Sequence, residues 1–300
     1  MKITMTGASG FIGGRLLEVL LQDGHSISVL SRSTAANVPA GVKVWEWNDS
    51  TNSLPPEESL RGANAVMHLA GEPVAQRWTA ESKRRIRESR EAGTRNLVAT
   101  LSNLARRPEA LICASAIGYY GSRGDETLTE SSAPGTGFLA EVCVPWEKEA
   151  QAAESLGMRV VRMRTGVVLD PKGGALQRML PIFRVGLGGR LGDGKQWMAW
   201  IHREDLVGLY HHALKNSMNG AVNGVAPHPV TNAEFTRVLA VTLRRPALFP
   251  APKLALRLLL GEMADMLFDS QRVIPQAAQT AGYQYQFPHL DQTLTALLRH

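Results

Sequence analysis

The chain has 300 residues, 44% of them hydrophobic and 20% charged, with a formal net charge of +6. That is an ordinary globular composition, enough for one large α/β unit or a domain with a smaller lobe, and no apolar run reaches membrane-spanning length. Its first residues read as a strand rather than a signal peptide, and two cysteines, Cys113 and Cys143, make no disulfide framework, so a cytoplasmic protein is expected.

Lys2-Ile3-Thr4-Met5-Thr6 reads as a short buried strand. Gly7-Ala8-Ser9-Gly10-Phe11-Ile12-Gly13 follows as a G-x-x-G-x-x-G turn, and Gly14 to Leu21 has helical period. Strand, glycine turn and helix in that order make a dinucleotide-binding fingerprint of an otherwise weak motif. Gly7 permits the tight turn, Gly10 admits a pyrophosphate to the backbone, and Gly13 lets helix and strand pack closely. Ser9, Phe11 and Ile12 complete the loop, and the helix N-terminus offers free N–H groups to phosphate.

Ser26 to Leu30 is the second strand. In such folds its end meets the adenosine ribose, where an acidic residue would bind the 2′-hydroxyl of NAD. Ser31-Arg32-Ser33 stands there instead. A guanidinium pairs with a 2′-phosphate that a carboxylate would repel, so NADP(H) is the expected cofactor. Val42 to Trp47 alternates like a strand, and Thr51 to Glu58 reads as loop. Ala65 to His68 is a buried strand running into Leu69-Ala70-Gly71, whose backbone is expected against the cofactor; His68 reads as a core histidine. Thr79 to Leu104 is helical and carries the densest basic run, Lys83 to Arg90. No aromatic residues interleave it and no DNA-reading motif is present, so a small anionic molecule is expected rather than nucleic acid.

Ala110 to Ser115 is a further strand, leading into Ala116-Ile117-Gly118-Tyr119-Tyr120-Gly121. Ser115, at its carboxyl end, is placed to hydrogen-bond a substrate oxygen, and Tyr119 or Tyr120 could supply a proton if either points into the cleft. Ser122 to Gly137 reads as loop or lid and Phe138 to Leu156 as one long helix. Arg159 to Leu169 is the sixth strand with its exit, where Arg164 and Val168 are assigned to the cofactor surface. Past Pro171 the chain turns irregular and glycine-rich. Asp205 then N-caps a helix to Leu214. Asn232 to Leu243, Lys253 to Leu267 and Leu290 to Leu298 are helical, with Pro246, Pro250 and Pro252 marking a linker.

The expected fold class is α/β, a Rossmann-like doubly wound parallel sheet with a smaller, mostly helical C-terminal substrate domain. Residues 1–170, with 203–226 returning to them, form the NADP-binding domain; 171–202 and 227–300 form the smaller one. No His/Cys/Asp cluster has metal-ligand spacing.

Together these landmarks resemble the extended short-chain dehydrogenase/reductase superfamily of nucleotide-sugar epimerases and dehydratases. Thr6 to Gly13 is similar to its cofactor motif, His68-Leu69-Ala70-Gly71 to its fourth-strand motif, and Trp200-Ile201-His202-Arg203-Glu204-Asp205 to its late signature. Ser115 to Gly121, Arg164 to Leu169, Gly186-Leu187-Gly188-Gly189 and Ser270-Gln271-Arg272-Val273-Ile274-Pro275 resemble one atypical epimerase-family subgroup. That subgroup has a C-terminal domain of unknown function, and some members carry the label cell-division inhibitor.

The departures from the superfamily pattern bear on chemistry. Its Tyr-x-x-x-Lys proton relay is missing: Leu139 stands at the Tyr position and Cys143 at the Lys position. Arg90 replaces the Asn that orients the Lys, and is expected to bring the missing cation to the cofactor. Met198 replaces an Arg that clamps a nucleotide diphosphate, and Trp197 and Trp200 are expected to make the pocket aromatic instead. Cys143 is either an acid or nucleophile or a small buried residue. The reading is an NADP(H)-dependent oxidoreductase acting on a small carbonyl or alcohol, without nucleic-acid or membrane partner and with a homodimer left open. The alternative is a non-catalytic NADP(H)-binding regulator.

Overall fold

The computed structural model describes residues 1–34, 37–48 and 53–299; Thr51 and Asn52 of the expected loop lie outside them. The first half runs β1 (Lys2–Thr6), α1 (Gly13–Gln22), β2 (Ser26–Ser31), β3 (Lys43–Glu46), α2 (Glu57–Leu60), β4 (Ala65–His68), α3 (Ala80–Asn103) and β5 (Ala110–Ala116). Then come β6 (Thr127–Leu128), α4 (Phe138–Gln151), β7 (Arg159–Thr165), β8 (Val167–Asp170), α5 (Gly174–Arg184), β9 (Trp197–Met198), β10 (Trp200–His202) and α6 (Arg203–Lys215). The remainder is β11 (Gly220–Gly224), β12 (Val230–Thr231), α7 (Asn232–Leu243), α8 (Lys253–Leu260), β13 (Arg272–Val273), α9 (Gln276–Thr280) and α10 (Leu290–Leu298).

Seven strands form one sheet in the order β11-β7-β5-β4-β1-β2-β3, every pair parallel. A parallel sheet must be covered on both faces, and its central strands are accordingly buried almost throughout. On one face Leu16, Leu17 and Leu20 of α1 join Leu206, Leu209 and Tyr210 of α6 over Ile3, Met5 and Met67. On the other, Leu97 and Leu101 of α3 and Trp146 and Ala150 of α4 cover Val66, Leu111 and Val160. A third cluster, with Leu176 and Phe183 of α5, Phe235 and Leu239 of α7 and Leu294 of α10, sits apart from these. The strand order reverses at β1, so a crevice opens at the carboxyl ends of β1 and β4, where such sheets bind ligands. Among the described residues no helix is long and apolar enough to cross a membrane.

Several expectations need correction. Asp205 is not an N-cap: α6 begins at Arg203, and the cap is His202, whose Nδ1 accepts from the Glu204 N–H at 3.0 Å. Asp205 is fully buried and accepts instead from the backbone N–H groups of Gln286 and Phe287 and from the Tyr283 hydroxyl, tying the C-terminal segment to α6. The long helix 138–156 divides into α4 and a tighter turn, Ala152–Leu156. The helix 253–267 breaks at Gly261 into α8 and a tighter segment, Gly261–Phe268. The region read as irregular after Pro171 contains α5, and β11 completes the sheet.

His68 is the buried histidine expected, held between Thr6 Oγ1 at 2.8 Å and Thr94 Oγ1 at 3.1 Å. Burial, helped by the Arg90 cation, lowers its pKa to about 4. Unfolding restores an ordinary value near ~6.5, so the unfolded chain binds the extra proton between the two values. The sign is therefore loss of stability as pH falls from about 6.5 through about 4, on the order of 3 kcal/mol in full. Denaturation midpoints across pH 7 to 4 should show this slope, flattened in His68→Gln; an equal slope in the variant would assign it to other groups.

Candidate functional site

The glycine turn is shaped by its own backbone. Gly7 has φ +69°, and a Cβ there would sit 2.7 Å from the Leu69 carbonyl carbon at the exit of β4. A Cβ on Gly13 would sit 2.1 Å from the Gly7 carbonyl oxygen. Both positions are therefore closed to any side chain, and the turn lies flat against the crevice. Ser9 and Gly10 are exposed on its open side. Helix α1 starts there with no side-chain cap and no acidic residue in its first turn, so its N-terminal partial positive charge is directed at solvent. Phe11 closes one end, its ring packed on Gly173 and Gly174 with Arg203 above it. Ile12 is half-buried as the first residue before α1. At the other end β2 ends in Ser31, half-buried, and Arg32, exposed. Cradle, uncapped helix and terminal cation fit a phosphorylated dinucleotide.

Leu69 and Ala70 take their places through Thr6, whose Oγ1 accepts from both backbone N–H groups at 3.1 and 3.0 Å. Gly71 lies under the Arg90 guanidinium, with a Cβ there 3.1 Å from Cζ. Arg90 also donates to the carbonyls of Glu72 and Ile86 and lies 5.1 Å from the Trp146 ring centroid. Its cation thus stands beside the β4 exit. Val168 is half-buried on β8, its carbonyl oxygen against Gly174, on which Phe11 of the glycine turn also packs.

The carboxyl ends of β5, β7 and β11 carry Ser115, Arg164 and Asn223 in one cross-strand row. All three are buried, and one network joins them. Ser115 Oγ donates to Glu147 Oε1 at 2.7 Å. Arg164 grips both carboxylate oxygens of Glu147, at 2.7 and 2.8 Å. Arg164 also donates to the Tyr120 hydroxyl at 2.9 Å, and that hydroxyl donates to Asn223 Oδ1 at 2.7 Å. The Tyr119 ring lies under the guanidinium, 3.5 Å from Cζ to centroid. Burial alone would lower the Arg164 pKa, but the bonds to Glu147 outweigh it and the net shift is upward. Arg164 thus faces this network. Tyr120 is fully buried and its hydroxyl is pushed up to about 12 by desolvation. Cys143 is buried and its thiol is likewise pushed up to about 12, so it behaves as a small buried residue rather than an acid near neutral pH.

Sequence reasoning missed Glu147, Glu130 and Asn223. Glu130 accepts from the backbone N–H groups of Asn223 and Ala277. The available signal for Glu147 was a carboxylate on the buried stripe of α4, one turn from Cys143 on one side and Ala150 on the other. Trp200 was expected in the pocket; it is core, fully buried, its Nε1 bonded to the His228 carbonyl. Trp197 is half-buried and donates to Asp125. Aromatic rings do line a cleft of about 850 Å3, but they are Trp78 and Phe138, packed edge-on at 4.8 Å, facing Gly118, Gly121 and Ser122. The Ser270 to Pro275 motif fastens this loop: Gln271 Nε2 donates to the carbonyls of Ile117 and Gly121, and Ser270 Oγ donates to that of Gly124. Away from the cleft, Asp23, His25 and His211 bring possible metal-ligand atoms together, but Lys215 already pairs with Asp23 at 2.7 Å.

Comparison with known proteins adds relatives to this geometry. Residues 3–226 match the NAD dependent epimerase/dehydratase family, and residues 251–297 match a domain of unknown function, DUF1731. The chain is 39% identical to the chloroplastic Epimerase family protein SDR39U1 homolog of Arabidopsis thaliana, over 100% of this chain and 87% of that protein. It is 35% identical to Epimerase family protein YfhF of Bacillus subtilis, over 99% and 98% of the two chains. Among solved structures, human epimerase family protein SDR39U1 (isoform2) with NADPH superposes with a TM-score of 0.88 at 33% identity, covering 99% of each chain.

Proposed function

The chain belongs to the NAD dependent epimerase/dehydratase family, and from that premise we propose that it is an NADP(H)-dependent oxidoreductase acting on a small carbonyl or alcohol. The bond from Ser115 Oγ to Glu147 Oε1 carries the reading. A serine that gives its hydrogen to a carboxylate keeps its lone pairs for a substrate hydroxyl. In alcohol oxidation the substrate proton passes to Ser115 Oγ while the serine proton passes to Glu147; in carbonyl reduction both move back. When bound, the cofactor supplies or accepts the hydride. The glycine turn and the α1 N-terminus hold its pyrophosphate, Arg32 and Ser31 its 2′-phosphate, and Arg90 adds a cation beside the β4 exit. NADPH in the human relative supports this choice. The substrate binds beside Ser115 at the carboxyl end of β5, with residues 1–170 and 203–226 as the NADP-binding part and the remainder as the smaller part, in a cytoplasmic enzyme without nucleic-acid or membrane partners.

Ser115→Ala should lower NADPH consumption with a carbonyl panel about 100-fold or more while leaving NADPH affinity nearly intact. If wild type consumes no NADPH above the Ser115→Ala control, the second reading holds, a non-catalytic NADP(H)-binding regulator. One observation favours that alternative: Tyr120 is fully buried and its hydroxyl hydrogen is committed to Asn223 Oδ1, away from any substrate.

A further inference from the structure

A second cleft, of about 640 Å3, lies between α7 and the turn that follows it. Four arginines line it, Arg190, Arg237, Arg244 and Arg245, and no carboxylate does. Among the described residues none of the four guanidiniums makes a hydrogen bond or ion pair. Glu234, the one carboxylate of α7, faces a neighbouring cleft with His228, His289 and Asp291, whose wall Arg237 shares, while Arg190, Arg244 and Arg245 line only the arginine cleft. At the wall of the arginine cleft Thr236 is 5% exposed, and its hydroxyl has no partner. A buried hydroxyl without a partner costs free energy that a bound acceptor would recover. Like charges gathered without a counter-charge repel one another, and a multiply charged anion removes that repulsion.

The backbone holds this arrangement in place. Arg237 lies on α7 and Arg244 caps it, about two turns further on, and Arg190 is fixed by its carbonyl, which accepts from the Ala251 N–H at 2.8 Å. Arg244 is the helix C-cap, left-handed at φ +54°, the one non-glycine residue with positive φ among those described. Glycine is the favoured residue there, so an arginine keeps its side chain at a conformational cost.

We propose that this cleft binds a phosphate-bearing ligand, with the four arginines as its cations and the Thr236 hydroxyl as a neutral donor. Guanidiniums present paired N–H groups that match phosphate oxygens. The rim is apolar and exposed, with Val241 and Leu248, so the phosphate is carried on an apolar body. No residue of the glycine turn takes part.

The test is calorimetric titration of the full chain with inorganic pyrophosphate at low ionic strength. With saturating NADPH present to occupy the glycine turn, saturable binding is expected, weakened at least ~10-fold in Arg237→Ala and in Arg244→Gly. Arg244→Gly separates binding from folding, because relief of the left-handed strain should hold or raise Tm while the cation is lost. A second arm uses phosphatidylcholine vesicles containing phosphatidic acid. Co-sedimentation that needs the same arginines assigns the phosphate to a lipid headgroup; pyrophosphate binding without co-sedimentation assigns it to a soluble ligand. Absence of saturable binding in both arms would overturn the proposal. So would pyrophosphate binding that saturating NADPH abolishes and Arg244→Gly keeps, which would place the anion in the glycine turn.

Discussion

Glu147→Gln is expected to destabilise the fold by about 3–5 kcal/mol, the usual cost of leaving one member of a buried ion pair uncompensated. Arg164 and Glu147 are 4% and 5% exposed, and the pair is doubly hydrogen-bonded. Removing the carboxylate charge leaves a guanidinium between β7 and α4 that water does not reach. The same change loosens Ser115 on one side and Tyr120 on the other, since both bond to this pair. Urea denaturation should show the loss as a lower midpoint. Replacing both partners, Glu147→Gln with Arg164→Met, should recover much of it, because an apolar replacement strands no charge. A single-variant loss below about 1 kcal/mol would mean that water compensates Arg164.

Gly13→Ala is expected to reduce NADPH affinity at least ~100-fold, about 2.7 kcal/mol, and to lower stability by about 1–3 kcal/mol. The added methyl would meet the Gly7 carbonyl oxygen at 2.1 Å and its carbon at 2.8 Å, and both are backbone atoms that cannot swing aside. Relief requires moving the turn off the start of α1, the surface proposed above for the pyrophosphate. Gly14→Ala is the internal control. Its methyl would find only the Ala8 carbonyl oxygen at 3.4 Å, an ordinary contact. It should gain up to about 1 kcal/mol of helix propensity and bind NADPH as wild type does. Equal behaviour of the two variants would show that the turn tolerates a side chain.

The contrast between these two glycines indicates what the sequence could reveal. Gly7, Gly10 and Gly13 follow a strand and open a helix, so local spacing alone identified the turn, whereas its contact with Leu69 at the β4 exit appears only in the structure. Strands β1, β2, β4 and β5 and helices α3, α7 and α10 were legible for the same reason: apolar runs or period, with clear breaks. Strand β11 was not, because Gly220-Ala221-Val222-Asn223-Gly224 is short and bounded by glycines. Helix α5 was hidden between Gly173 and Gly186 and carries Pro181 inside it. Asp205 looked like a cap from its place before Leu206, but the partners it accepts from are about 80 residues later, at Gln286 and Phe287. The Ser115 partner was invisible for a related reason. Glu147 lies 32 residues away, and only the packing of α4 on β5 brings its carboxylate to the serine. Tyr120 was singled out as a proton source and Arg164 for the cofactor surface, whereas tertiary contact turned them toward each other.

Cofactor selection is the claim on which the rest depends, and its most direct measurement is paired fluorescence titration of wild type and Arg32→Ala with NADPH and NADH. The 2′-phosphate is the difference between the two ligands, and Arg32 is the exposed cation at the end of β2. NADPH is expected to bind wild type at least ~10-fold more tightly than NADH, about 1.4 kcal/mol, with the preference lost in Arg32→Ala. Equal affinities in wild type, or a preference that survives in Arg32→Ala, would contradict the account.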